Sequence, residues 1–409
     1  MATLAPQPEH AVDPLDMSRP ELYRDDTWHE PFRELRARAP LYFTEHSAFG
    51  PFWSVSTYKP IVHIESLPEL FSSEAGGITV ADLQDGDIKM PMFIAMDRPK
   101  HTGQRRTVAP AFTPSEMVRM TDNIRMRTAE ILDALPVGKP FDWVDEVSIE
   151  LTTQMLAILF DFPWEDRRKL TYWSDWAGDI EIAKDPVRKI ERQNILFECA
   201  AYFGNLWQGK IGKEPTPDLI SMMIHSDAMS HMDQMEFLGN LILLIVGGND
   251  TTRNSMSAYA WGLNQFPDER AKLEADPSLI ANATQEIIRW QTPLSHMRRT
   301  ATQDTEVEGV RIREGDKLAL WYVSANRDES VFPDADSIRI ERENARRHLA
   351  FGHGIHRCVG ARLAELQIGI LMEEMAKRRL RVNTLAEPER VAACFVHGYK
   401  KMPVELSRY

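Results

Sequence analysis

Cysteine is scarce in this chain: 409 residues hold three, at 199, 358 and 394. Their odd number and wide spacing exclude a disulfide framework and point to a reducing compartment. Long apolar runs are also missing. The most apolar segment, 237–246, is too short to span a bilayer and carries Asn240. Residues 1–24 bring prolines and acids but no apolar run, which excludes a signal peptide or anchor there. Positive charge is in deficit, with 48 Lys and Arg against 61 Asp and Glu and a net charge of −13. That balance argues against nonspecific nucleic-acid binding. There is no zinc-finger or RNA-binding signature, no internal repeat and no low-complexity linker. A cytoplasmic protein without a membrane anchor is expected, and a monomer.

The length and 43% hydrophobic content suffice for a large core. Pro6, Pro8, Pro14 and Pro20 predict a mobile or loosely packed tail over 1–20. Residues 21–409 show no convincing boundary and read as one domain, mainly α with small β-sheets. A helix is expected over 19–38, a hairpin from 41–43 and 52–55, and an irregular loop over 72–95 that includes Gly86. Helical periodicity covers 100–160 and 166–210, followed by a break at 212–217. Further helices are expected at 232–265, 279–290 and 361–377, with strands in 297–324 and at the C-terminal end.

Residues 351–360 read Phe-Gly-His-Gly-Ile-His-Arg-Cys-Val-Gly. Cys358 ends a glycine-rich loop just before the helix predicted from Ala361, where free N–H groups favour a thiolate. Gly352, Gly354 and Gly360 clear side chains from the path of a bulky planar ligand, while His356 and Arg357 offer donors to anions. The set suits a thiolate that binds the iron of a haem. From the loop alone other readings stay open. A lone cysteine is commonly a small buried hydrophobe. His353, His356 and Cys358 could take part in a zinc site, although Cys199 and Cys394 stand alone and four ligands are needed. A Cys–His hydrolase or a haem protein without turnover also fits.

The long apolar helix carries a polar notch, Gly247-Gly248-Asn249-Asp250-Thr251-Thr252. Paired glycines inside a helix cost about 1 kcal/mol each relative to Ala. Buried Asp and Thr cost more unless hydrogen-bonded. A Thr251 hydroxyl bonded to the Gly247 carbonyl could open or bend the helix, and an acid beside an alcohol can relay protons. The plainer reading is a tight helix crossing with Asp250 paired to Arg253. Glu286 and Arg289, three apart on one helix face, form an ion pair whose expected role is structural.

In this order and spacing the three motifs resemble those of the cytochrome P450 family, the haem-thiolate monooxygenases. Phe351, Gly354, His356, Cys358 and Gly360 match the haem loop. Gly248, Asp250 and Thr251 match the notch, and Glu286 and Arg289 the Glu-x-x-Arg pair. The resemblance covers essentially the whole chain. It implies a triangular-prism fold with haem b (iron protoporphyrin IX) between the long helix and the Cys loop, and Cys358 as the metal ligand. His101, Arg105, Arg299 and His356 are the implied propionate partners, with Phe351, Gly352, Gly360, Gly248 and Ala364 also at the cofactor. The family often adds a third Arg to the ion pair. Ser337 stands at that place, so Arg339 or Arg342 is expected to substitute.

The implied reaction takes up dioxygen, two electrons and two protons, inserts one oxygen atom into a C–H bond and releases water. Thr251 and Asp250 are the implied catalytic residues, handling oxygen and protons. No Rossmann fingerprint or flavin segment is present, so electrons must come from outside. An iron–sulfur ferredoxin with a separate NAD(P)H-dependent reductase is expected. It would dock on Arg105, Arg106, Arg346, Arg347, Arg357 and Arg362. The implied substrate pocket is apolar: Ile78, Val80, Met90, Met92, Phe93, Leu244, Val246, Gly247, Leu294, Met297, Phe395 and Val396. Residues 93–101, 247–255 and 297–301 look like bacterial terminal alkane and fatty-acid hydroxylases. ω-Hydroxylation of a medium-chain aliphatic is therefore expected first, and of a monoterpenoid alcohol or steroid side chain second.

Overall fold

The computed structural model describes residues 12–39, 41–84 and 87–409. Helices dominate, and two of them frame the centre. The notch helix, Gln234–Gln265, starts where Asp233 accepts from the N–H groups of Met235 and Glu236, both at 2.9 Å, and ends before Pro267. The proximal helix, Ala361–Lys377, follows Gly360 directly. The ion-pair helix, Ile280–Gln291, stops at Thr292, whose φ of 44° is left-handed, and Pro293 prevents its resumption. These bounds lie within two residues of the sequence expectation.

Short strands gather into one five-stranded sheet, in the order Leu41–Thr44, Phe52–Val55, Lys317–Trp321, His296–Ala301, Phe71–Ser72. The expected hairpin forms, with Leu41 opposite Val55 and Thr44 opposite Phe52. Phe52–Val55 then runs parallel to Lys317–Trp321, while His296–Ala301 runs antiparallel to it. The sheet matters to the site because its strand His296–Ala301 carries Met297 and Arg299 to the cavity, with Leu294 just before it.

Several expectations are corrected. The helix over 19–38 is two helices, Pro20–Arg24 and His29–Arg38, parted where Asp26 adopts a φ of 55°. The helical stretch 100–160 is interrupted by the strand Pro140–Asp142, which pairs with Pro403–Arg408. Tyr322–Ala325 is a helical turn rather than strand. The helices Tyr58–Glu65, Leu219–Ile224 and Pro267–Ala275 were not expected. The loose tail does not reach residue 20. Leu15 and Met17 are buried, and Asp16 accepts from Ser18 N–H at 2.9 Å to form a tight turn. The part of the tail call over 1–11, and Gly86 of the expected loop, lie outside the described residues.

The loop over 73–92 has no regular structure among its described residues, yet both its ends are fixed. On one side Arg298 N–H donates to Ile78 O at 2.8 Å, and the buried Lys317 ammonium donates to Val80 O at 2.8 Å and to Asp82 at 2.7 Å. On the other, Asn240 of the notch helix accepts from Phe93 N–H at 3.0 Å. Gly239 permits this approach, since a Cβ there would collide with Pro91 O. The loop is thereby tied to the sheet on one side and to the notch helix on the other.

Candidate active site

One large cavity lies between the notch helix and the Cys loop, with about 1360 Å³ of space including its open mouth. Of the three cysteines only Cys358 lines it. Cys199 is buried within Pro186–Lys210. Cys394 is fully buried behind the sheet, its carbonyl accepting from His296 Nδ1 at 2.8 Å.

The Cys loop is shaped by backbone constraints. Gly352 and Gly354 have φ of 67° and 65°, and a Cβ on Gly354 would collide with the carbonyl oxygen of Glu65. Cys358 N–H donates to Phe351 O at 2.8 Å, closing the loop. Burial pushes the Cys358 thiol up, opposed by the Gly360 N–H and by the Arg105 and Arg357 guanidiniums. The thiol is accessible where it lines the cavity, while the surrounding protein desolvates it.

His101 and His356 stand together at the cavity's edge, ring centroids 4.3 Å apart, and none of their four ring nitrogens has a hydrogen-bond partner. Burial, aided by nearby arginines, lowers His101 to about 4 and His356 to about 2. Arg105 lines the cavity and donates to Arg357 O. Arg299 lines it too, paired with Glu65 at 2.9 Å. Buried polar groups are normally satisfied, so two orphaned imidazoles beside two guanidiniums mark a place for anionic groups of a ligand.

On the opposite wall the notch helix stays continuous. Thr251 donates from Oγ1 to Gly247 O at 3.0 Å, the expected bond, without opening the helix. Gly247 has nothing within 4 Å of an added Cβ and faces the cavity, whereas Gly248 meets Leu156 Cδ2 at 2.7 Å. The glycine pair therefore both opens space and permits a tight crossing with Glu150–Phe160. Asp250 points away from the cavity. It accepts from Ser174 Oγ at 2.9 Å and Asn249 at 3.1 Å, and pairs with Arg253 at 3.1 Å. Burial pushes its pKa up to about 6. Arg253 continues outward to Asp175 at 2.8 Å, which is 53% exposed.

Glu286 and Arg289 are fully buried and bonded at 2.7 and 2.8 Å. The third arginine is Arg342, whose Nε donates to Glu286 at 3.0 and 3.1 Å; Arg339 contributes only its backbone N–H, at 2.9 Å. Arg289 also donates to Asn326 O and Ala335 O, and Asn326 accepts from Leu349 N–H at 2.7 Å. This ties the ion pair to the start of the Cys loop.

Phe351, Gly352, Gly360, Gly248 and Ala364 are all on the cavity wall. Of the expected substrate residues, Phe93, Leu244, Gly247, Leu294 and Met297 are on it. Ile78, Val80, Phe395 and Val396 are off the wall, in an apolar cluster that Leu294 and Met297 border from the cavity side. Leu294 and Val396 form a β-bridge that places one before the other. Val246 and Met90 pack into the cluster around the notch helix, and Met92 is half-buried off the wall. Leu159 and Leu219 line the cavity and were missed, and Ile94 and Leu243, within the expected segments 76–95 and 241–248, line it without having been singled out. Helical phase could have found Leu243: positions 243, 244, 247, 248, 251, 252 and 255 form one stripe, and 246 lies off it. Glu65 and Tyr322 were also missed, and no local signal marks them.

Among the described residues no group of three or more His, Cys, Asp and Glu gathers around a common point, which removes the zinc reading. No helix of the described residues is long and apolar enough to cross a membrane.

The family model for Cytochrome P450 matches residues 276–384. The chain is similar to solved structures of CYP153D17 from Sphingomonas sp. PAMC 26605 (75% identity, 97% of this chain and 100% of that one, TM-score 0.94). It is also similar to Cytochrome P450-153 from Novosphingobium aromaticivorans (57%, 96% and 100%, TM-score 0.92). Linalool 8-monooxygenase of Pseudomonas putida is 34% identical over 96% of this chain and 98% of that protein. Methyl-branched lipid omega-hydroxylase of Mycobacterium tuberculosis (strain ATCC 25618 / H37Rv) is 30% identical over 98% and 97%.

This chain belongs to the cytochrome P450 family and is a haem-thiolate monooxygenase. Its residues fit the cofactor, with a thiol on one wall, a glycine-cleared helix face on the other, and unsatisfied imidazoles with guanidiniums at the edge.

Proposed function

We propose that this enzyme hydroxylates the terminal carbon of a medium-chain alkane or fatty acid. The observation that carries this reading is the composition of the cavity on the notch-helix side. Phe93, Ile94, Leu243, Leu244, Leu294 and Met297 offer hydrocarbon and no charge to a substrate. A flexible chain gains from burying each methylene and needs no polar partner there. The relative named as a lipid omega-hydroxylase supports this reading. A second reading, a monoterpenoid alcohol, is supported by the relative named Linalool 8-monooxygenase.

In this proposal Cys358 would bind the haem iron, and His101, His356, Arg105 and Arg299 would hold the propionates. When bound, the haem would supply the oxygen-activating chemistry, with Cys358 as an electron-donating thiolate. The apolar wall excludes water and presents one end of the substrate. Thr251 Oγ1, on the cavity face, hands protons to the reacting centre. Asp250, turned outward and held by Ser174 and Arg253, exchanges protons on the side away from the cavity and passes them toward Thr251. Electrons come from a ferredoxin served by a separate reductase. Arg106, Arg346, Arg347, Arg357 and Arg362 are exposed, and among the described residues none has a carboxylate within 4.0 Å. They form the docking face on the thiolate side. Residues 21–409 act as one catalytic domain in the cytoplasm.

The test begins with the reduced, carbon-monoxide-bound spectrum of the purified enzyme, where a thiolate-type Soret band is expected. Alkanes, fatty acids and terpenoids are then titrated, and products are analysed after turnover with a ferredoxin system. High-spin shifts and terminal alcohols are expected with unbranched chains. Shifts confined to terpenoids would reject the first reading in favour of the second.

A further inference from the structure

Glu65 ends the helix Tyr58–Glu65 with its side chain on the cavity wall, yet the residue is only 4% exposed. It is the only acid among the described residues that line the cavity. Three donors converge on it. Arg299 Nη2 and the Tyr322 hydroxyl reach Oε1 at 2.9 and 2.6 Å, and His353 N–H reaches Oε2 at 2.8 Å. Its backbone carbonyl packs against Gly354, where no side chain could fit. One residue thus touches the Cys loop twice and neutralises one of the two guanidiniums at the anionic edge of the site. The wall presents the guanidiniums of Arg105 and Arg299 with the single carboxylate of Glu65 between them and the Cys loop, where a cofactor with two carboxylates would lie.

We propose that Glu65 is a positioning residue that sets the haem reduction potential: its carboxylate cancels the charge of Arg299 while fixing that guanidinium and the backbone at His353. Ferric haem carries one more positive charge than ferrous haem, so a fixed anion in a low-dielectric wall favours the ferric state. Removing the anion favours reduction. The proposal rests on the haem being held by Cys358.

The test is spectroelectrochemical titration of the purified holoenzyme. Glu65→Gln keeps the shape and loses the charge. At a fixed applied potential its ferrous-to-ferric ratio is expected to rise at least tenfold, about 59 mV for a one-electron couple. Glu65→Asp keeps the charge on a shorter side chain, and its ratio is expected to stay within about threefold of wild type. An unchanged ratio in Glu65→Gln with a normal thiolate Soret band overturns the proposal. So do equal shifts in both variants, because contact rather than charge would then be responsible. Should Glu65→Gln fail to retain haem, Tyr322→Phe takes its place. The carboxylate then loses a donor but keeps its charge, so the potential is expected to fall, and an unmoved or raised potential overturns the idea. Absence of a thiolate band in the wild-type protein would instead refute the Cys358 assignment.

Discussion

Thr251 and Asp250 are adjacent in sequence but face opposite ways. Thr251 lines the cavity, while Asp250 is bonded to Ser174 and Arg253 on the far side of the helix. Their roles are therefore separable. Thr251→Ala removes the hydroxyl at the reacting side. Electron use is expected to continue while product falls, the difference appearing as peroxide measured per NAD(P)H consumed. Full coupling would exclude Thr251 from proton delivery. Asp250 has a direct consequence for stability. Its folded pKa of about 6 lies above the ordinary 3.8, so the native state binds the extra proton between those values. As pH rises through this window the unfolded chain ionises first and the native state loses stability. Asp250→Asn abolishes that slope. Denaturant titrations at pH 4 and pH 7 are expected to show wild type losing ground to the variant as pH increases.

Among elements, the notch helix and the ion-pair helix make contrasting demands on single atoms. An alanine at Gly248 would press a methyl against Leu156 Cδ2, and overpacking of this kind costs about 1–3 kcal/mol. An alanine at Gly247 meets open space and gains about 1 kcal/mol of helix propensity. Thermal unfolding should therefore move in opposite directions for the two variants. Gly247→Ala should also alter substrate-induced spin shifts, because the methyl enters the cavity. The Glu286–Arg289–Arg342 cluster is buried at the junction of the ion-pair helix, the 325–350 segment and the Cys loop. Glu286→Gln leaves two buried guanidiniums uncompensated, and losing one partner of a buried pair costs about 3–5 kcal/mol. A lower melting temperature and partial loss of the thiolate-type Soret band are expected. An unaffected spectrum and melting temperature would show that the cluster is dispensable to the loop.

For the whole molecule, an acidic protein with a net charge of −13 has a proposed docking cluster of exposed arginines, Arg106, Arg346, Arg347, Arg357 and Arg362, that among the described residues have no carboxylate within 4.0 Å. Such a cluster steers an acidic partner most strongly at low ionic strength. Arg346→Glu or Arg362→Glu is expected to slow reduction by a ferredoxin and flatten its dependence on salt, measured by stopped flow with carbon monoxide trapping. Chemical reduction by dithionite should not change. An equal rate in both variants would place the docking face elsewhere.

The sequence by itself determined the three motifs and the helices that carry them. Each depends on neighbours within one turn or one loop: Gly247 with Thr251, Glu286 with Arg289, and the glycines around Cys358. Such relations follow from helical phase and backbone freedom alone. The tertiary structure decided what lies opposite them. Arg342 rather than Arg339 completes the ion pair because its side chain returns across 56 residues to Glu286. Glu65 lies 234 residues from Arg299 and 288 from His353, a separation at which no periodicity carries information. The apolar candidates were divided in the same way. Val80, Phe395 and Val396 are as hydrophobic as Phe93 and Leu244, and only the packing of the sheet put them in the core beside the cavity. Hydrophobicity says that a side chain is buried. Which of two adjacent interiors it enters is fixed by non-local packing.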